Sequence, residues 1–225
     1  MFADNDQCAH MIADRRVQGV KFTGSTVGGI AVATECGKSV KKGSFELGGN
    51  DPFIVLKDAD LDRAVDIAYK SRMGANAQAC INAKRFIIES SVYETFRDQL
   101  IAMIDKSTVI GDPMDPKTTL GPLALHRQMI KLKSQVHKAV NENNAKIIYG
   151  SNDWKITDPK LEQGNFVHPI VTEDMSVDSS SFHEEFFGPV FNLFRGGSAE
   201  ECLKLANHSD YGLAGTIFTK DVAKA

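Results

Sequence analysis

The sequence has few cysteines, no long apolar run and no excess of basic residues. Its four cysteines are widely spaced and include no C-x-x-C pair, so neither a disulfide framework nor a zinc site is indicated. No apolar stretch approaches the length of a membrane span, and the first residues lack the apolar core of a signal peptide. The net charge of −3 argues against a nucleic-acid partner. We therefore expect a protein of a reducing compartment, the cytoplasm or the mitochondrial matrix.

Strand and helix patterns alternate along the whole chain. Of the 225 residues, 42% are hydrophobic and 24% are charged, which is typical of one large or two small globular domains. Short apolar runs predict strands at 40–46, 51–56 and 85–89, and apolar residues at helical spacing predict a helix that Asp60 caps. The alternation predicts an α/β fold, a three-layer, largely parallel sheet with helices on both faces.

Weaker patterns predict several further elements. Ser90 or Ser91 is expected to cap an amphipathic helix, and 166–171 and 187–194 are expected to be strands. Residues 221–225 resemble the first turn of a helix that then stops. Because both ends are abrupt, we expect the chain to be a segment of a longer one. The six histidines show no metal-binding spacing, so no metal is expected.

A cysteine and a glutamate carry the strongest chemical signal. Cys80 ends the small, polar stretch 75–80, and Glu46 comes just before the Gly48-Gly49 turn. A thiol nucleophile and a carboxylate base, each in a turn, are the groups that thioester-forming catalysis requires. A lone cysteine is more often a small buried hydrophobe, so the interpretation depends on the surrounding motifs.

A strand, a turn of small residues and a helix follow one another over 17–37. The turn is Thr23-Gly24-Ser25, and this arrangement points the amides of a helix N-terminus at a phosphate. No G-x-G-x-x-G motif is present. The alternative is an ordinary helix start capped by Ser25, and both interpretations stay open here.

Four motifs taken together resemble the aldehyde dehydrogenase superfamily. They are Phe22-Thr-Gly-Ser25, Glu46-Leu-Gly-Gly49, Gln78-Ala-Cys80 and Glu185-Phe-Phe-Gly-Pro189. The segments 51–61 and 83–89 are most similar to the succinate-semialdehyde dehydrogenase branch. The resemblance covers essentially the whole chain. It implies that 1–46 is a remnant of an NAD(P)-binding Rossmann-like domain and that 47–225 is the catalytic domain, truncated at its carboxyl end.

The resemblance implies a role for each motif. Cys80 is expected to attack the aldehyde, giving a thiohemiacetal that is oxidised by NAD or NADP to a thioester, with the Cys80 N–H in the oxyanion hole. Glu46 is expected to activate the water that hydrolyses the thioester. Ser25 is expected at the cofactor pyrophosphate and Glu185 at the nicotinamide ribose. The full set of expected cofactor-binding residues is Gly24, Ser25, Leu47, Glu185 and Phe187.

The cysteine loop departs from the family pattern Asn-x-Gly-Gln-x-Cys. The asparagine is displaced to Asn76, and Ala77 stands where glycine is usual. If glycine serves a positive φ there, alanine costs about 1 kcal/mol; tolerance of alanine is the alternative. Gly74 stands where some succinate-semialdehyde enzymes hold the substrate carboxylate with arginine. Arg85 is a poor substitute because it leads into a strand.

Three functional interpretations remain. The first is an NAD(P)-dependent dehydrogenase of a small aldehyde, with succinic semialdehyde as one candidate, that forms a homo-oligomer when full length. The second is a truncated, non-catalytic relative that serves as a structural subunit of a larger assembly and pairs its open sheet edges with another chain. The third is a nucleotide-binding module with an unreactive Cys80. We also expect the 225 residues alone to bind cofactor weakly and turn over poorly.

Overall fold

The computed structural model describes residues 3–223 and 225. The chain divides into two compact units, Met1–Gly48 and Gly49–Ala225. The cofactor and catalytic roles expected for 1–46 and 47–225 stay predictions. Among the described residues, no helix combines the length and the apolarity needed to cross a membrane.

From residue 3 onward, the first unit is built from two helices and a two-stranded sheet. Its elements are α1 (Asn5–Ala13), β1 (Gly19–Thr23), α2 (Thr26–Lys38) and β2 (Lys42–Glu46). The two strands run parallel, with Thr23 opposite Glu46, because α2 supplies the crossover that a parallel pair requires. Asp4 and Gln7 form a capping box at the start of α1, and Ser25 caps α2.

Among its described residues, the second unit contains four α-helices and a six-stranded sheet. Its elements are β3 (Pro52–Val55), α3 (Leu61–Met73), β4 (Arg85–Glu89), α4 (Tyr93–Ser107), α5 (His126–Glu142), β5 (Lys146–Tyr149), β6 (Ile170–Glu173), β7 (Val190–Gly196), α6 (Ala199–Asn207) and β8 (Thr216–Phe218). The strand order is β5-β6-β7-β4-β3-β8. Every neighbouring pair is parallel except β5 with β6.

Helices cover both faces of this sheet. Successive strand residues point to opposite faces, so Phe53 and Phe86 lie in a core with side chains of α3 and α4. Ile54 and Ile87 lie in a second core with side chains of α5 and α6. The three-layer, largely parallel α/β architecture predicted from the alternating pattern is confirmed.

Three predicted boundaries were wrong. The strand predicted over 166–171 begins at Ile170, because Pro169 has no N–H to donate to a ladder. The strand predicted from Phe187 begins at Val190, directly after Pro189, for the same reason. The cap predicted at Ser90 or Ser91 was also wrong. The N-cap position of α4 is Val92, which has no side chain able to cap the helix, and Ser90 instead donates to the carbonyl of Gly196. The helical turn predicted over 221–225 includes Lys224, which lies outside the described residues.

Candidate active site

The segment between α3 and Cys80 has an unusual backbone. A short 3₁₀ turn covers Gly74–Ala77, and the φ angles of Ala75, Asn76 and Ala77 are 52°, 54° and 59°. This left-handed conformation costs a residue with a Cβ about 1–2 kcal/mol. The positive φ considered for Ala77 is therefore present, and the two preceding residues share it.

Side-chain hydrogen bonds hold this strained loop in place. Asn76 Oδ1 accepts from the N–H of Gly121 at 3.0 Å, and Gln78 Oε1 accepts from the N–H of Ala124 at 2.9 Å. A strained backbone conformation persists only where surrounding contacts hold it in place. These two bonds, to a segment more than forty residues along the chain, keep the half-buried Cys80 at the end of an ordered turn.

Lys84 lies beneath the cysteine loop. Its side chain is 0% exposed, and Nζ donates to the carbonyls of Cys80 at 2.8 Å and Asn82 at 2.9 Å. It also lies 3.4 Å from Glu185 Oε1. Burial lowers the pKa of Lys84, and the positive charge of Arg72 lowers it further.

Glu185 comes to the cysteine loop from a distant part of the chain. Its Oε1 accepts from the N–H of Gly49 at 3.2 Å as well as facing Lys84. Gly49 also lies against the loop, because a Cβ at that position would be 2.6 Å from the carbonyl oxygen of Cys80. The structure thus brings Cys80 and Glu185 to one location, and Phe187 lies half-buried two residues further on.

Arg72 holds the segment that carries Glu185. It is 0% exposed, and its guanidinium donates to the carbonyls of Phe186, Gly188 and Val190. Burial lowers the pKa of Arg72 to about 9. A guanidinium has five N–H donors in a fixed fork, so it can donate hydrogen bonds to several carbonyls at once.

Sequence reasoning assigned no role to Arg72 or Lys84. One signal was present for Arg72, since it lies four residues after Ala68 and seven after Val65, on the buried face of α3. No comparable signal exists for Lys84, which precedes a strand in a position where lysine is normally solvated.

Arg85 is occupied by carbonyls of the chain itself. Its guanidinium donates to the carbonyls of Asn50, Leu205 and Ala206 at 2.8–2.9 Å, and burial lowers its pKa to about 10. Gly74 is exposed and offers no side chain. Neither of these two positions supplies a cation for a substrate carboxylate.

Asp51 is a buried carboxylate near the loop. Its Oδ1 accepts from the N–H of Ala214 at 3.1 Å, and its Oδ2 is buried with no hydrogen-bond partner among the described residues. Burial raises the pKa of Asp51, although the Ala214 bond and the charge of Lys84 oppose this.

The first unit contains the other predicted site residues. Ser25 Oγ accepts from the N–H of Gly28 at 3.2 Å, so the capping role that the alternative predicted is present. Gly24 donates to the carbonyl of Glu46 at 3.0 Å, and the Glu46 side chain is exposed. Leu47 packs on Gly29, where a Cβ would lie 2.4 Å from its side chain.

An open, largely apolar cleft of about 850 Å³ runs along the same unit. Its wall includes the first turn of α2 and residues of α1 and β1. A cleft beside a helix N-terminus offers an apolar surface for a ring and unpaired amides for an anion. The residues present therefore fit the adenosine and pyrophosphate parts of a dinucleotide.

The remaining cysteines and histidines show no catalytic grouping. Cys36 and Cys202 are buried, and burial raises the pKa of Cys202 to about 11. The rings of His183 and His208 meet edge to face, with centroids 4.8 Å apart and an interplanar angle of 60°. Within residues 3–223 and 225, no group of three or more His, Cys, Asp or Glu side chains is placed to hold a metal ion.

Comparison with known proteins identifies the family. The aldehyde dehydrogenase family profile matches residues 3–225, and the chain belongs to this family. It is 39% identical over 223 residues to the succinate semialdehyde dehydrogenase Sad of Escherichia coli strain K12, covering 99% of this chain and 46% of that protein. It is 40% identical to a succinate-semialdehyde dehydrogenase [NADP(+)] of Deinococcus radiodurans, covering 96% of this chain and 43% of that one.

The solved structures show the same relationship. Succinic semialdehyde dehydrogenase from Streptococcus pyogenes, determined with NADP+, superposes with a TM-score of 0.91 at 38% identity, covering 98% of this chain and 47% of that one. The resemblance read from the four motifs is thus confirmed. The chain spans less than half the length of each of these relatives.

Proposed function

We propose that this chain is part of an NAD(P)-dependent aldehyde dehydrogenase that oxidises a small aldehyde to a carboxylic acid. The observation that carries the proposal is the cysteine loop. A half-exposed Cys80 ends a strained, hydrogen-bonded turn, and Glu185 is bound beside it by Gly49 and Lys84. Ordered backbone around an accessible thiol suits a nucleophile that must meet its substrate in one orientation.

Cys80 forms the covalent intermediate in this proposal. Its thiolate adds to the aldehyde carbonyl, and the resulting oxyanion receives a hydrogen bond from the Cys80 N–H. Among the described residues, that N–H is engaged by no protein acceptor, so it is available for this bond. When bound, the nicotinamide supplies the two-electron oxidant that converts the thiohemiacetal to a thioester.

Glu46 is the general base for hydrolysis of the thioester in this proposal. Its exposed carboxylate takes a proton from water, whose oxygen attacks the acyl carbon and releases the acid and the Cys80 thiolate. Overall, one aldehyde, one water and one oxidised cofactor give one carboxylic acid, one reduced cofactor and one proton.

Five residues are proposed to bind the cofactor. The N-terminus of α2, with Gly24 and Ser25, suits the negative pyrophosphate, because the helix dipole and free amides favour an anion there. Glu185 accepts hydrogen bonds from the nicotinamide ribose, and Leu47 and Phe187 provide apolar contacts. NAD and NADP both remain candidates.

Succinic semialdehyde is the proposed substrate. Support comes from the relatives in Escherichia coli and Deinococcus radiodurans, which are named for it. Since Gly74 and Arg85 supply no free cation, other residues of the whole protein must hold the distal carboxylate.

The decisive test compares variants of the whole natural protein that contains this chain. Cys80→Ser is expected to abolish aldehyde-dependent cofactor reduction while the cofactor still binds. Glu46→Gln is expected to release about one equivalent of reduced cofactor in a burst and then stall, because only hydrolysis is impaired. Cys202→Ala, which removes a buried thiol of the same unit, is expected to keep activity. Undiminished steady-state turnover by Cys80→Ser would refute the proposal.

A second measurement separates the proposal from its alternatives. Near neutral pH, iodoacetamide is expected to alkylate Cys80 faster than the other three thiols, the half-buried Cys8 as well as the buried Cys36 and Cys202. A Cys80 that reacts no faster than Cys8 would favour a nucleotide-binding module. Co-purification of the natural protein with a different polypeptide, in place of a homo-oligomer, would favour a structural subunit.

A further inference from the structure

Lys84 joins the nucleophile loop to the carboxylate proposed to bind the nicotinamide ribose. Its Nζ donates to the carbonyls of Cys80 and Asn82 at 2.8 and 2.9 Å and lies 3.4 Å from Glu185 Oε1. An ammonium has three donors and no acceptor. Nζ also donates to the carbonyl of Ala79 at 3.4 Å, so its three hydrogen bonds go to carbonyls of the cysteine loop and Glu185 is its ion-pair partner. Among these partners, Cys80 and Glu185 belong to the proposed catalytic machinery.

The position of Lys84 is unusual for a lysine. Its side chain is fully buried, and a buried cation needs paired acceptors to offset lost hydration. Surface lysines elsewhere in the unit, such as Lys70 with Asp66, pair in solvent at little gain. A residue that serves only to fill space at this position would more readily be apolar.

The arrangement leaves one face of Glu185 for a ligand. Oε1 accepts from Gly49 and faces Lys84, whereas no protein donor to Oε2 is present within the described residues. The side chain is 18% exposed. One carboxylate oxygen is thus bound by the protein, and the second is available for a hydroxyl donor.

We propose that Lys84 is a positioning residue of the dehydrogenase, whose ammonium holds the Cys80 carbonyl and the Glu185 carboxylate in one fixed arrangement. The inference rests on the proposed function. Lys84 touches neither substrate nor cofactor and acts through the two groups it binds. Without it, the Glu185 carboxylate loses its cationic partner, and the Cys80 carbonyl loses the donor that orients the loop.

The test is a double-mutant cycle in the whole natural protein. Cofactor dissociation constants are measured at equilibrium without aldehyde for wild type, Lys84→Met, Glu185→Gln and the double variant. Lys84→Met is expected to weaken cofactor binding by about tenfold, because a misplaced carboxylate no longer meets the ribose. In the Glu185→Gln background the same change is expected to weaken binding less than about twofold.

Turnover provides a second readout. Lys84→Met is expected to lower kcat as well as raising KM for the cofactor, because the Cys80 loop is released. Lys70→Met, an exposed lysine of the same unit, is the matched control and is expected to change neither. If Lys84→Met does not fold, Lys84→Gln replaces it, since its amide still donates to the loop carbonyls but carries no charge toward Glu185.

Two results would overturn the inference. Equal loss of cofactor affinity from Lys84→Met with and without Glu185 would mean that the lysine only supports the fold. Wild-type protein that binds no NAD(P) and oxidises no aldehyde would refute the proposed function itself, and the Lys84 role with it. Cofactor binding and aldehyde oxidation by the wild-type protein tell the two failures apart, because only the second failure abolishes them.

Discussion

The backbone of Gly49 lies directly against the carbonyl of Cys80, so that a Cβ on Gly49 would come within 2.6 Å of that oxygen. Real Cβ atoms do not approach a backbone oxygen so closely, and a backbone carbonyl yields less readily than a flexible side chain. Only glycine permits this approach. The identity of residue 49 therefore bears directly on the position of the proposed nucleophile.

Gly49→Ala is expected to displace the Cys80 loop and to lower kcat by about 10- to 100-fold, because a misplacement near 1 Å in a reacting group has effects of that order. Gly212→Ala is the control, since a Cβ there would meet nothing within 4 Å. Steady-state kinetics of both variants of the whole protein provide the measurement. Equal activity of the two would show that the loop tolerates the shift.

Ala75→Gly is expected to stabilise the protein by up to about 1 kcal/mol, because glycine adopts the left-handed φ of 52° without the steric cost that alanine bears. Ala75 is exposed, so little packing is lost. Ala102→Gly, at an exposed position within α4, should instead destabilise by about 1 kcal/mol. Urea unfolding of both variants measures whether the free energy of unfolding rises for Ala75→Gly and falls for Ala102→Gly.

Arg72→Met is expected to destabilise the protein by about 3 kcal/mol or more, since it leaves the buried carbonyls of residues 186, 188 and 190 without their donor. Arg63→Met on the same helix is the control. Arg63 is exposed, so its replacement should change the unfolding free energy by less than about 0.5 kcal/mol. Similar unfolding midpoints for the two variants would contradict the role assigned to Arg72.

Asp51→Asn is expected to change how stability depends on pH. Because burial raises the pKa of Asp51 above 3.8, the folded protein keeps a proton that the unfolded chain releases. The contribution of this group is therefore fully present below pH 3.8 and is lost as the pH rises through the folded pKa. Wild type should lose stability relative to Asp51→Asn over that window.

The measurement is the unfolding free energy of both proteins at several pH values from about 4 to 7, where an unperturbed aspartate is mostly ionised. A stability difference that stays constant over this range would contradict the raised pKa. A difference that moves in wild type's favour as the pH rises would mean that the charges of Lys84 and Arg85 outweigh burial.

Local patterns in the sequence were enough for much of the fold. Asp60 caps α3 as predicted, its side chain accepting from the N–H of Arg63, because an N-cap depends on residues only three apart. The alternation of strand and helix patterns, which is also read from neighbouring residues, predicted the layered sheet. Boundaries failed where proline removed a ladder donor, at Pro169 and Pro189, although the apolar runs there looked continuous.

The candidate site was predictable only in part. Cys80 and Glu185 were identified from motifs, and the structure brings both to one place through Gly49 and Lys84. Arg72 and Lys84 were missed. Their importance lies in burial and in bonds such as that from Arg72 to the carbonyl of Val190, a residue of another strand that no local spacing can pair with it.

By itself the sequence determined the family and the α/β class and supplied the candidate residues for the proposed chemistry, because motifs and hydrophobic periodicity are properties of neighbouring residues. The tertiary structure alone decided which cations are buried, which carbonyls they bind and that three successive residues of the cysteine loop have positive φ. Those features depend on contacts between distant segments, whose desolvation and hydrogen bonding exist only once the sheet has formed.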